Sequence, residues 1–335
     1  MTKTALEDGA ATPVPLRAKR PRLAGLIVGA VALVALFAFV FHIGDLEDFA
    51  RLAANADPFW ILLALVAQVL AFATQALVWG LVLARRKSAV PRRSLFLLTL
   101  GKLFADQAIP SAGVSGAVFF IHALIRRGVA GADAFTAFVF GATSFILAFI
   151  LFAASALGWL FFAGGPLDQF SVNVADLHYF AIASILLLFV IAALFLASQS
   201  RAPAGSERLK TARGTAAHAF KLIYVDRGLF AFCLFLQAIA RLLDAVTLWI
   251  AFQALGGGVP FSTAIIAVSL ASLAATIAPT PMGLGSFEAG LLAALAALGL
   301  GVEAAFAGGV IYRGLTLFLP LAIGFFIVQR ELLKK

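Results

Sequence analysis

Six ionisable residues lie inside otherwise apolar stretches of this 335-residue chain: Lys102, Asp106, Arg241, Asp244, Glu288 and Arg313. Their spacing is ordered. Lys102 and Asp106 are four apart and share a face if helical. Arg241 and Asp244 are three apart, and Gln237 extends the same stripe. Gln68 and Gln75, seven apart, mark one face of another apolar stretch. Charges of this kind either pair to hold helices together or handle a charged ligand. The choice matters because each costs roughly 3 kcal/mol at the centre of a helix in hydrocarbon.

Two short breaks accompany the charges. The segments 109–116 (IPSAGVSG) and 278–285 (APTPMGLG) interrupt apolar sequence at matching places in the two halves. Pro110, Gly113 and Gly116 end one apolar arm and let the chain turn, and Pro279, Pro281, Gly283 and Gly285 do the same in the second half. Ser111 or Ser115 is placed to cap the next arm of the first pair, and Ser286 that of the second. Glu288 falls in the first turn of the returning arm, where an acid suits the helix dipole. A half-helix start of this sort presents free N–H groups to an anion. Backbone released from a helix inside a bilayer must be satisfied by protein or water, so such breaks line cavities.

The elements that must position these residues are set by composition. The chain is 63% apolar and 12% charged, with a mean hydropathy of +1.04, too hydrophobic for a soluble domain. Several stretches exceed the length of about 18 apolar residues that marks a spanning helix. The reading is an all-α polytopic membrane protein. Six full spans are expected: Leu23–Ile43, Pro58–Ala84, Asp133–Ala163, His178–Ser198, Leu229–Leu255 and Ala304–Gln329. Two broken re-entrant hairpins, Ser94–Ile125 and Ser262–Leu300, lie between them. Residues 1–22 read as a disordered cytoplasmic tail, 23–330 as one membrane domain with halves 23–163 and 178–330, and 199–228 as a basic loop.

Lysine and arginine orient the spans. With the N-terminus in the cytoplasm, 21 of the 25 fall in inside segments and one, Arg51, in an outside loop. The net charge of +9 is then loop charge, and nucleic acid is not expected as a partner. Each half reads span, span, hairpin, span, the first starting inside and the second outside, so the two are inverted-topology repeats. Arg313 lies ten residues into the last span with no acid near it in sequence, and needs Glu288 or a lipid phosphate. Lys102 either snorkels to the cytoplasmic interface or acts deeper.

The chain offers little for other chemistry. A single cysteine, Cys233, excludes an intramolecular disulfide and a cysteine-based metal site. The four histidines share no ligand spacing, and no metal or cofactor is expected. The run GLGS at 283–286 is a lone G-x-G without a preceding strand. No H-E-x-x-H, G-x-S-x-G or paired-Asp motif is present, so no enzyme is expected.

The runs GKLFADQAIPSAGVSGAVFFIHALIRRGV and APTPMGLGSFEAGLLAALAALGLGVEAAFAGGVIYRGLTLFLPLAIGFF resemble the flippase-like membrane domain of lysylphosphatidylglycerol synthases. The pattern P-x-P-x-G-x-G-x-x-E ending at Glu288, followed by R-x-x-T at Arg313–Thr316, carries the resemblance best. It implies a stand-alone member in the bacterial inner membrane, both termini cytoplasmic, that handles lipid without the family's soluble aminoacyl-transfer domain. The expected function is a lipid flippase or transporter moving a phospholipid or related lipid between leaflets. The alternative is a non-transporting membrane subunit partnered with a lipid-modifying or glycolipid-synthesis enzyme.

Overall fold

A computed structural model of the protein describes residues 56–108, 113–162, 223, 225–277, 283 and 285–333, all within the compact unit Gly44–Lys335. The expected spans Leu23–Ile43 and His178–Ser198, the tail 1–22, most of the loop 199–228, and Pro110, Pro279 and Pro281 lie outside the described residues.

Every regular element among the described residues is helical. In chain order these are α1 (Pro58–Arg85), α2 (Arg92–Ala108), α3 (Val114–Ile125), α4 (Gly131–Phe162), α5 (Arg227–Ala254), α6 (Phe261–Ile277), α7 (Ser286–Ala297), α8 (Val302–Arg313) and α9 (Leu319–Leu333). A π-helical turn, Gly314–Phe318, joins the last two. Four stretches are long and apolar enough to cross a membrane: Pro58–Arg85, Gly131–Gly158, Arg227–Ala254 and Val302–Glu331. They match four of the six expected spans, with ends shifted by a few residues. The last begins two residues earlier than expected, because Gly301 rather than a polar residue starts it, and it runs on to Leu333. Its π turn has no signal in the hydropathy pattern. At 1.5 Å per residue, a 28-residue helix is about 42 Å long and exceeds the ~30 Å of hydrocarbon. The 12-residue α3 and α7 reach only about 18 Å.

Local chemistry sets the helix starts. Asp57 caps α1 by accepting from Phe59 N at 2.9 Å, with Pro58 at the first helical position. Asp226 caps α5 by accepting from Leu229 N at 3.2 Å. Both side chains satisfy N–H groups that the first helical turn leaves free.

Helices α1 and α5 pack along one another and run antiparallel. Asp57 N donates to Ala254 O at 2.9 Å at one end, and Arg85 Nε meets Asp226 Oδ2 at 2.6 Å at the other. Charged pairs gather further helix ends at that second face. Arg86 Nε meets Asp133 Oδ1 at 2.7 Å, which fixes the start of α4. Arg127, just past α3, grips Glu331 of α9 with both terminal nitrogens at 3.0 and 2.7 Å. Arg126 donates to the Glu331 carbonyl.

Helices α2 and α9 approach closely because glycines face each other's neighbours. A Cβ at Gly324 would lie 2.6 Å from Leu100 O, and one at Gly101 would press on Phe119 and Ile327. Small residues of this kind let helix backbones meet where no hydrophobic effect drives association.

Two apolar cores result. Trp79, Phe120, Phe140 and Leu83 centre one, built mainly from α1 to α4. Leu248, Phe252, Phe287 and Tyr312 centre the other, built from α5 to α8. Outside them, Phe59, Leu62, Phe235 and Phe326 are among the large apolar side chains left exposed, an exterior that suits hydrocarbon rather than water.

Candidate functional site

All six of the charged residues singled out above are paired, in three pairs. Two of the pairs sit at the two breaks. At the second break, Gly285 takes a positive φ of 81° and stands at the N-cap of α7. Glu288 reaches back so that Oε2 accepts from Gly285 N at 2.7 Å. Its other oxygen accepts from Arg313 Nε at 2.6 Å. One carboxylate thus satisfies a free helix-end donor and neutralises a buried guanidinium. The arrangement suits Glu288, whose negative charge also sits at the positive end of the α7 dipole.

Arg313 is 8% exposed. Its guanidinium lies 4.6 Å from the centre of the Phe287 ring, and Phe287 stacks on Tyr312 with centroids 5.8 Å apart. The expectation that Ser286 caps this arm is corrected by the geometry. Ser286 is the first helical residue, and its hydroxyl donates to Gly283 O at 3.3 Å. The longer Glu288 side chain reaches the N-cap N–H, a position Ser286 leaves by being inside the helix.

The first break uses the same parts from different positions. Asp106, near the end of α2, accepts from Gly116 N at 2.8 Å through Oδ1 and from Lys102 Nζ at 2.7 Å through Oδ2. Gly113, at φ 86°, is the N-cap of α3. Gly116 is required by contact, since a Cβ there would overlap the Asp106 carboxylate. Ser115 does not cap α3 either, because its hydroxyl donates back to Ala105 O at 2.7 Å. At both breaks, then, an acid satisfies a backbone N–H with one oxygen and a base with the other.

The third pair lies in the middle of α5. Arg241 Nη2 meets Asp244 Oδ2 at 3.0 Å, and the guanidinium lies 4.8 Å from the centre of the Phe145 ring of α4. Asp244 Oδ1 accepts a long bond of 3.5 Å from Gln68 Nε2 across the α1–α5 contact. Thr247 Oγ1 completes the chain by donating to Gln68 Oε1 at 3.3 Å.

Tyr312, beside Arg313 at the end of α8, packs in the same apolar core as Leu248 of α5. Gln68 was visible in the sequence as a polar face. Thr247 was missed, although it follows Asp244 by three and so shares its face. Phe287 and Tyr312 were also missed, and their only signal was adjacency to Glu288 and Arg313. Among the described residues no group of histidines, cysteines or acids could hold a metal.

These features define a polytopic α-helical membrane protein with a buried polar cluster beside interrupted helices. A family model described as the lysylphosphatidylglycerol synthase TM region matches residues 23–324. The chain belongs to that family, and its role is connected with membrane lipid. A search of curated proteins finds no match.

Proposed function

We propose that this protein is a lipid flippase or transporter that moves a phospholipid or related lipid between leaflets of the bacterial inner membrane, rather than an enzyme. The observation that carries the reading is the Arg313–Glu288 pair, a guanidinium held by an exchangeable carboxylate at the start of a broken helix. An anionic headgroup competes with Glu288 for Arg313. A planar guanidinium grips phosphate with two parallel bonds.

The architecture supports the same reading. In the proposed topology six spans and two re-entrant hairpins, α2–α3 and α6–α7, form two inverted repeats, with both termini cytoplasmic. The antiparallel α1 and α5 are the matching second spans of the two halves, and each half has its own apolar core. The like use of acid and base at the two breaks fits such a repeat. Interrupted helices meeting between inverted halves are a recurring plan for alternating access. The face that gathers Arg85, Arg86, Arg126 and Arg127 is then cytoplasmic.

Reconstitution in liposomes with labelled lipids tests the proposal. Headgroup-dependent exchange between leaflets is expected. Its absence across phosphatidylglycerol, phosphatidylethanolamine, cardiolipin and polyprenyl-phosphate lipids would refute it. One observation favours the second reading, a non-transporting membrane subunit of a lipid-modifying system: all three buried pairs are closed on themselves. That reading predicts no exchange and a lipid-synthesis enzyme that co-purifies.

A further inference from the structure

The outward stripe of α9 changes character near its end. Leu319, Ile323 and Phe326 are exposed, Phe326 to 68%. One turn on, Gln329 and Arg330 are exposed instead, and Leu333 follows at 80%. These positions recur every three or four residues and so share one face of the helix. On a spanning helix, a change from apolar to polar along the lipid face marks the exit from hydrocarbon into the headgroup layer. Arg330 therefore stands at headgroup level, with Phe326 one turn deeper. The next residue, Glu331, is held by Arg127 through its carboxylate and by Arg126 through its carbonyl. Among the described residues, Arg330 itself has no hydrogen-bond or ion-pair partner.

Two more cations share that end. Phe104 of α2 packs on Leu317 and Leu321, and its ring meets that of Phe325 at 5.6 Å, whereas Gly101 faces Ile327. As the numbering rises along α9 it falls along α2, so the two helices run antiparallel. Arg92 and Arg93, at the start of α2, therefore lie at the Arg330 end. Both are exposed and, like Arg330, have no partner among the described residues. Arg85, Arg86 and Arg127, on the same face of the molecule, are each answered by an acid. Positive charge is left over where α2 begins and α9 ends.

Beside Arg330 is an open hollow of about 510 Å³, bordered by Phe326, Gln329, Arg330 and Leu333. That lies within the range of about 300–1,000 Å³ found for small-molecule sites. Because the hollow is open, chains longer than it continue into the bilayer along Phe326 and Ile323. A second copy of this chain docked here by a two-fold axis would set Arg330 against Arg330. A neutral apolar partner would leave the three cations unanswered. An anion with an apolar body meets both needs. We infer that the end of α9 binds an anionic phospholipid of the leaflet on that side. Its phosphate sits on Arg330 and Gln329 and its chains lie along Phe326. Arg92 and Arg93 favour a net negative headgroup over a zwitterionic one. This site goes beyond the proposed function, since it holds lipid on the outer surface of the last span and needs none to cross.

Quenching by brominated lipid tests it at the site. Phe326→Trp places a fluorophore on the exposed stripe, and the emission it adds to that of the four native tryptophans is the signal. The full chain is reconstituted in phosphatidylcholine vesicles with a minor share of brominated phosphatidylglycerol or of phosphatidylcholine with the same brominated chains. Phosphatidylglycerol should associate more than about fivefold better, the weight of one cation at an anionic surface. Arg330→Gln should cut that preference about fivefold. Arg330→Lys should keep most of it, because the charge is retained. Arg92→Gln with Arg93→Gln should lower it further, and added salt should weaken it.

Equal quenching by the two lipids overturns the inference, as does a preference that Arg330→Gln leaves intact. Inorganic phosphate that abolishes the preference at constant ionic strength shows a site for the free ion and overturns it too. Added emission that neither brominated lipid quenches shows a face covered by protein, with the same result. If Phe326→Trp fails to fold, Leu333→Trp on the same stripe takes its place. Liposome exchange run in parallel separates the two proposals. A preference set by Arg330 without exchange refutes transport and leaves this site standing. Exchange without that preference refutes this site and leaves transport standing.

Discussion

Breaking the Arg313–Glu288 pair from its two sides should have unequal effects on stability and equal effects on lipid movement. Glu288→Ala leaves Arg313, 8% exposed, without its carboxylate. Removing one partner of a buried pair costs about 3–5 kcal/mol, and the lost contact to Gly285 N adds about 1 kcal/mol. Arg313→Ala strands the acid instead. The Glu288 side chain is 24% exposed and keeps the Gly285 N–H, so the loss falls at the low end, about 2–3 kcal/mol.

The double variant removes both charges and should be more stable than Glu288→Ala alone, because no guanidinium is stranded. Thermal unfolding in mixed micelles reads this order, and liposome exchange reads function on the same preparations. All three variants should be inactive, and Arg313→Lys should recover little, since an ammonium lacks the fork that grips phosphate. Normal exchange by Arg313→Ala would refute the reasoning. So would an Arg313→Ala protein that fails to fold, which would make the residue structural. A Glu288→Ala protein no less stable than Arg313→Ala would show that the burial argument is wrong.

Other features of the molecule give further expectations. Gly116→Ala forces the Asp106 carboxylate away from the start of α3 and should lower stability by about 2 kcal/mol, seen as a reduced Tm. An unchanged Tm would mean that Asp106 moves at no cost. Lys87→Cys and Gly258→Cys sit in exposed turns at opposite ends of the α1–α5 pair, while the native Cys233 is fully buried. An impermeant thiol reagent added outside intact cells should label Gly258→Cys and spare Lys87→Cys, and the reverse pattern would invert the topology. Arg127→Ala should loosen the end of α9 by removing both Arg127 bonds to Glu331 and cost about 1–3 kcal/mol. Unaltered protection of α9 in hydrogen exchange would show that the glycine packing against α2 holds it alone.

The sequence made helices, spans and pairing partners visible to different degrees. Hydropathy located α1, α4, α5 and the last span within a few residues, because a spanning helix needs a long apolar run, while caps such as Asp57 and Asp226 set the exact starts. The arms of the two broken pairs were legible from proline and glycine. Pairs within one helix, Lys102–Asp106 and Arg241–Asp244, followed from spacing alone. Arg313 had no acid near it in sequence, and Glu288 was one of the two partners open to it, a lipid phosphate being the other. What the sequence hid was chemistry that depends on helix contact. Gln68 bonding to Asp244 needs the register of α1 against α5. Ser115 and Ser286 looked like caps, but their hydroxyls donate elsewhere and acids meet the N–H groups there, because a side chain can reach back from the first turn or across from the preceding arm; Ser111, the other candidate, lies outside the described residues. Phe287 and Tyr312 read as ordinary core until their stacking beneath Arg313 was seen.

The π turn at Gly314–Phe318 has a consequence for how the last span is anchored. Arg313 and Glu331 are tied to different partners, Glu288 and Arg127. They are 18 residues apart, which in an unbroken α-helix is five whole turns and would aim both side chains in one direction. A π turn holds one residue more than an α turn and sets the register back by about 100°. The two anchors therefore point roughly a quarter-turn apart, toward separate partners, on a rod that is otherwise continuous. The last span behaves as a crankshaft, with two throws set at an angle by a single surplus residue. A twist imposed at either throw is delivered to the other as a sideways push.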